Sequence, residues 1–138
     1  MNNKIVLDTH ILLWSLLTPD ELSNATKKII TQAQKSHNLF ISSISLWEIS
    51  MLIERKRINV YESKAKFLNS ITDIEGFSVI EINANIAAES TSLPGGFHGD
   101  PADCIIISSS REIAGTLITR DNKIIKWGQQ GFLKFHKA

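Results

Sequence analysis

The sequence predicts an α/β fold, a three-layer α/β/α sandwich built on a parallel five-stranded sheet, and three observations carry that expectation. Short β-type runs alternate with helical stretches along the chain, the pattern of strand–helix–strand units joined by right-handed crossovers. The first run, Ile5-Val6-Leu7, is apolar without alternation, as suits a central strand covered on both faces. Acidic residues recur where strands and helices meet, on the edge where open parallel sheets place their ligands.

In order, the first strand is expected over Ile5 to Asp8, with a helix beginning near His10. Thr18-Pro19-Asp20-Glu21 reads as a capping box with proline at the first helical position. Behind it Leu22, Ala25, Ile29 and Ala33 recur at helical spacing. Leu39 to Ser42 is the second strand, followed by helices over Ser45 to Arg55 and Tyr61 to Ile71. A third strand, Phe77 to Ile82, precedes a helix over Ala84 to Ser92. Pro101 to Ala114 is a helix that feeds the fourth strand, Thr116 to Thr119. A short helix follows Asp121, and Phe132 to Phe135 is the fifth strand. With no repeat, low-complexity tract or linker, residues 1–138 read as a single domain, long enough for a real core.

Composition narrows the class. Hydrophobic residues make up 43% and charged residues 21%, the balance of a globular soluble chain. Fifteen basic against 14 acidic residues leave net charge silent about nucleic acid, so any electropositive surface must be local. Cys104 is the only cysteine; no internal disulfide can form, which is compatible with a reducing cytosol, and a small buried hydrophobe is its favoured role. Met1-Asn2-Asn3-Lys4 leads straight into the first strand without the apolar core and cleavage site of a signal peptide. No apolar run approaches the ~20 residues needed to cross a bilayer. A cytoplasmic location without membrane association is expected.

Four acids stand out: Asp8, Glu48, Asp103 and Asp121. Each has an ordinary structural explanation. Asp8 could form a strand-end Asx-turn, Ser45-Leu46-Trp47-Glu48 is itself a capping box, Asp100-Pro101-Ala102-Asp103 looks like an N-cap followed by proline, and Asp121-Asn122 could be a turn or cap. Serine, threonine or asparagine would cap as well, however, so an acid at every junction on one edge of the sheet favours a shared purpose. If the first and fourth strands are neighbours, the four carboxylates reach one rim and repel one another unless a cation sits among them. Mg²⁺ or Mn²⁺ is the matching hard cation; it would acidify a water, polarise a phosphoryl oxygen and invert the field that otherwise repels an anionic phosphodiester. The residues therefore point to a metal-dependent hydrolase.

The segments Val6-Leu7-Asp8-Thr9-His10-Ile11-Leu12-Leu13-Trp14 and Ile41-Ser42-Ser43-Ile44-Ser45-Leu46-Trp47-Glu48-Ile49 resemble the PIN-domain nucleases. So do Gly99-Asp100-Pro101-Ala102-Asp103-Cys104-Ile105-Ile106 and Leu117-Ile118-Thr119-Arg120-Asp121. Within that family the chain looks most like the VapC toxins of bacterial or archaeal toxin–antitoxin pairs. Each motif alone is weak; four in order across the chain are fairly specific. The resemblance implies strand order 3-2-1-4-5, an Mg²⁺- or Mn²⁺-dependent endoribonuclease acting on RNA, a cognate antitoxin and a homodimer. It places the family's four acids on Asp8, Glu48, Asp103 and Asp121, with Asp100 or Thr119 as supporting or alternative ligands. Two departures stand near the site: Cys104 where relatives usually carry arginine, and Ser108-Ser109-Ser110 where they usually carry alanines. A receiver domain also clusters acids at strand ends, but no lysine follows a late strand in the expected place. A catalytically silent RNA- or protein-binding module on the same fold is the alternative.

Outside the acids, Arg55-Lys56-Arg57 could hold RNA phosphates or form a solvated helix end. His98, in the glycine-rich stretch Leu93 to Gly99, is a candidate phosphate contact, while His10 reads as structural. Trp14, Trp47, Met51 and Leu52 suit the core, or a groove for a partner.

Overall fold

In a computed structural model, residues 3–138 are described; the expected lead-in at Met1 and Asn2 lies outside them. Five strands, β1 (Ile5–Leu7), β2 (Leu39–Ser42), β3 (Phe77–Ile80), β4 (Thr116–Thr119) and β5 (Phe135–Lys137), form one sheet in the order β3-β2-β1-β4-β5. Every pairing is parallel. The central β1 lies between β2 (Ile5 opposite Leu39) and β4 (Ile5 opposite Thr116).

Seven α-helices connect and cover the sheet: α1 (Thr9–Leu17), α2 (Asn24–Lys35), α3 (Ser43–Glu54), α4 (Lys64–Thr72), α5 (Ala84–Ser90), α6 (Pro101–Glu112) and α7 (Asn122–Trp127). The period of two along the strands separates two cores. Ile5, Leu7, Leu39, Ile41 and Ile118 face one way, against Ile11 and Leu12 of α1, Ile30 of α2, Ile49 of α3 and Ile71 of α4. Val6 and Leu117 face the other way, against Ile86 of α5, Ile106 and Ile107 of α6 and Ile124 of α7. Side chains this buried each contribute about 1.5–3 kcal/mol, so the sheet is held from both sides.

Several element boundaries differ from the sequence reading, for local reasons. Thr18 makes no side-chain cap; Pro19–Glu21 is one 3₁₀ turn, and α2 is capped instead by Ser23, which accepts from Thr26 N–H at 3.1 Å. The second capping box fails too: α3 begins at Ser43, capped by Ser42 Oγ accepting from Ile44 N–H, and Ser45 is buried inside the helix. α4 starts after Ser63, which accepts from Lys66 N–H, leaving Tyr61 outside and exposed. The fifth strand lies three residues later than expected. Phe132 belongs to a wide turn, Gly128–Phe132, in which Gly131 has φ +98° and the Phe132 ring stacks on Trp127 at 5.3 Å. An edge strand needs fewer apolar residues, so Phe135-His136-Lys137 gave a weak signal.

Gly76, ahead of β3, is required by its surroundings: φ is +84°, and a Cβ there would lie 2.1 Å from the carbonyl oxygen of Gln34.

Candidate functional site

The sheet reverses its winding between β1 and β4, and the acids gather at the carboxyl ends of these two strands. A cleft of about 370 Å³ there is lined by Asp8, Glu48, Asp100, Asp103 and Asp121, with His10, Trp14 and Arg120. A hollow of about 600 Å³ beside Arg111 and Lys134 is larger. The acid cleft differs from it in charge: among the described residues, none of its five acids forms an ion pair. Arg120, though at the cleft, is turned elsewhere. Its guanidinium lies 4.4 Å over the Trp14 ring and donates to the carbonyl oxygens of Glu21 and Ala138.

The carboxylates come from four separate places in the chain. Asp8 follows β1 and is the N-cap of α1; its Oδ1 accepts from Thr9 N–H at 2.8 Å and its Oδ2 from the Thr119 hydroxyl at 2.7 Å. Thr119 Oγ1 accepts in turn from Asp121 N–H at 3.1 Å, tying the ends of β1 and β4 together. Asp121 caps α7 through Oδ1, which accepts from Lys123 and Ile124 N–H. Glu48, on α3, does not close a capping box; its Oε1 accepts from the Thr9 hydroxyl at 2.6 Å. Asp100 caps α6, accepting from Asp103 N–H at 2.9 Å. Asp103, in the first turn of α6, has no side-chain partner among the described residues. Capping and cleft-lining are thus not alternatives for Asp8, Asp100 and Asp121; each does both.

The electrostatics follow from this crowding. Burial raises the Asp8 carboxyl above its ordinary range, opposed by the donors Thr119 and Thr9. Burial also raises Glu48, opposed by Thr9 and reinforced by the charges of Asp8 and Asp100. Asp103 is pushed up to about 7, first by burial and then by Asp100, Asp8, Asp121 and Glu48. A shared response of this kind marks a concentration of negative charge, which the nearby His10 offsets only in part at Asp8 and Glu48.

The donor set fits Mg²⁺ or Mn²⁺: oxygen only, anionic and open on one side. Among the described residues, no group of three His, Cys, Asp or Glu side chains is placed to hold a metal ion as it stands.

The other expected site residues fall elsewhere. His98 is exposed and lines a neighbouring hollow with Phe97, Gly99 and Cys104. Arg55, Lys56 and Arg57 are exposed at the end of α3, away from the cleft lining. Their backbone has a clear structural use. Lys56, at φ +57°, donates to Ile53 O and Arg57 donates to Leu52 O, which closes the helix with a Schellman motif. Of the four large side chains considered for a groove, Trp47 is exposed, Trp14 and Met51 are half-buried, and Leu52 packs on the core.

Two buried hydroxyls were missed as site residues, Thr9 and Ser45. Thr9 directly follows Asp8, and Ser45 precedes Glu48 by three, hence on the same helix face. That spacing was visible, but was read as a cap.

Comparison with known proteins identifies the family and the fold. The family described as PIN domain matches residues 5–128. Ribonuclease VapC22 of Mycobacterium tuberculosis is 30% identical over 120 residues, covering 87% of this chain and 88% of that protein. Among solved structures, the chain is similar to one in VapBC2 from Rickettsia felis bound to a DNA fragment from their promoter. The TM-score is 0.69 at 19% identity, over 96% of each chain. It is also similar to one in DNA-bound VapBC from Salmonella typhimurium, with TM-score 0.67 at 13% identity over 97% of each. At such identities the two structures speak for the fold. No helix among the described residues is long and apolar enough to cross a membrane.

Proposed function

The chain belongs to the PIN-domain family, and on that premise we propose that it is a divalent-metal-dependent endoribonuclease, the toxin of a toxin–antitoxin pair. Residues 1–138 act as one catalytic domain in this reading. The observation that carries it is the cleft at the ends of β1 and β4, where five carboxylates meet without an ion-paired cation among the described residues. The name of the Mycobacterium tuberculosis relative supports RNA as the substrate.

Asp8, Glu48, Asp103 and Asp121 would hold Mg²⁺ or Mn²⁺, with Asp100 adding negative charge at the rim. The chemistry such a cation supplies when bound is polarisation of the phosphodiester and acidification of water. The chain's own residues prepare for it. Thr119 and the backbone of Thr9 occupy both oxygens of Asp8 and fix its plane. Thr9 holds Oε1 of Glu48. Asp103, pushed up to about 7, holds a proton part of the time near neutrality, and a bound cation would favour its ionised form. Exposed Leu16, Leu17 and Trp47 offer apolar contact to an antitoxin or a second copy of the chain. Arg55, Lys56, Arg57 and His98 remain candidate contacts to RNA phosphates outside the cleft.

The test is cleavage of end-labelled RNA by the purified protein with Mg²⁺, with Mn²⁺ and with chelator. Internal cuts that need metal and disappear in Asp8→Asn are expected. RNA binding without cleavage under every metal condition would favour the silent module instead.

A further inference from the structure

One residue joins two of the carboxylates. Thr9 is 2% exposed and Ser45 is 0% exposed, so water does not compete for their hydroxyls. The backbone N–H of Thr9 donates to Asp8 Oδ1 at 2.8 Å, while its hydroxyl lies 2.6 Å from Glu48 Oε1 and 2.8 Å from Ser45 Oγ. A hydroxyl has a single hydrogen, and an ionised carboxylate can only accept. The Thr9 hydrogen therefore goes to Glu48, and Ser45 must donate to Thr9. Polarity runs one way, from Ser45 through Thr9 to Glu48.

We propose that Thr9 is a positioning residue that sets the register between Asp8, at the end of β1, and Glu48 on α3, with Ser45 fixing the direction of its hydroxyl. The inference rests on the proposed metal site. Asp8 and Glu48 are 40 residues apart and come from different elements, so helix and strand geometry alone do not fix their separation. Thr9 does so through two hydrogen bonds, one from its backbone N–H and one from its hydroxyl. With Oε1 engaged, Oε2 of Glu48 is the oxygen left without a protein partner among the described residues. The pair thus fixes the orientation in which the Glu48 carboxylate is offered to a cation. The role needs a hydroxyl at position 9 and a donor at position 45; it does not need the threonine methyl.

The experiment is calorimetric titration of metal-free full-length protein with Mn²⁺, beside circular dichroism and melting of the same samples. Thr9→Val keeps the shape and removes the hydroxyl; supporting residues of metal sites typically change affinity 10–100-fold, so a loss of about tenfold or more is expected. Thr9→Ser should bind within about threefold of the parent, and Ser45→Ala should fall between the two. In a Glu48→Gln background, Thr9→Val should add little further loss, because the two act through one contact. Should Thr9→Val fail to fold, Thr9→Ala carries the same expectation. Parental Mn²⁺ affinity in the folded Thr9→Val or Thr9→Ala protein would overturn the inference. So would losses that simply add in the Glu48→Gln background, since a general packing defect behaves that way. If the parent protein itself binds no Mn²⁺, the proposed function falls and this inference with it.

Discussion

The two walls of the acid cleft hold their carboxylates in opposite ways. On the wall made by β1 and α3, Asp8 is almost fully buried, yet both its oxygens have donors, and Glu48 beside it has Thr9. On the wall made by α6, Asp103 is less buried and has no side-chain partner among the described residues; Asp100 spends an oxygen on the helix cap. Depth alone does not decide how hard it is to keep a charge. The donors to Asp8 work against its desolvation, whereas the only charges near enough to shift Asp103 are other acids. The first wall meets its negative charge with protein donors; Asp103 on the second has none among the described residues.

Four substitutions or conditions would break or sharpen that contrast. The largest effect is expected from Asp8→Asn, which removes a charge from the prepared wall while its side-chain oxygen can still accept from Thr9 N–H. RNA cleavage should fall by about 100-fold or more, at least as much as losing a supporting residue costs, with the circular dichroism spectrum unchanged. Parental activity in the folded variant would remove Asp8 from the site.

On the second wall, Asp103→Asn should lose nearly as much activity. Asp100→Asn should keep most of it, because asparagine caps a helix as well as aspartate. Measured side by side, the opposite ranking would transfer the ligand role to Asp100.

A smaller effect concerns the stability of the metal-free protein. The Asp103 carboxyl is raised from 3.8 to about 7, so between these values the folded state binds more protons than the unfolded. Stability then falls as pH rises through that window, and the loss is complete above the folded-state value. Asp8 and Glu48, also raised, act in the same direction. Melting temperatures with chelator should show a steeper decline from pH 5 to pH 8 in the parent than in Asp103→Asn. Mn²⁺ or Mg²⁺ should reverse the decline, by about 2.7 kcal/mol at 100-fold Kd. The Asp8→Asn, Asp103→Asn double variant should respond far less and be the more stable protein without metal. Equal metal shifts in both proteins, or none in either, would reduce the four acids to caps and turns.

The smallest effect tests whether partnered hydroxyls differ from an unpartnered one. Thr9, Ser45 and Thr119 are buried and bonded, but Ser108 Oγ on α6 is buried without a partner among the described residues. Ser108→Ala should stabilise the protein by about 1 kcal/mol, the desolvation cost of an unmet hydroxyl. Urea unfolding would measure it, and destabilisation would mean the hydroxyl has a partner after all.

The alternation of strands and helices was legible because parallel sheets need continuous apolar strands, as in Ile5-Val6-Leu7. The acids were legible for a related reason: the carboxyl edge of such a sheet is the one place where Asp8, Asp103 and Asp121 serve both as junction residues and as neighbours. What stayed hidden depends on contacts distant in sequence. Ser45 and Glu48 have the spacing of a capping box, and only the approach of Thr9, 36 residues before Ser45, turns both side chains to another use. Likewise Phe132 carries a strand-forming side chain, but Trp127 and Gly131 draw it into a turn. Local pattern identified the elements; tertiary contact decided their ends.

The bond from Thr119 to Asp8 spans 111 residues of chain. β1 is synthesised well before one of its two neighbours, β4, which ends at residue 119, and Asp121 follows two residues later. A nascent chain cut short before that point has Asp8 and Glu48 but not the opposite corner of the cleft. Pairing at such sequence separation is also slow, because the closure of a long loop precedes its reward. Synthesis order therefore works as a delay: Asp8 and Glu48 are made long before Thr119 and Asp121, and the rim of the cleft closes only once β4 is available.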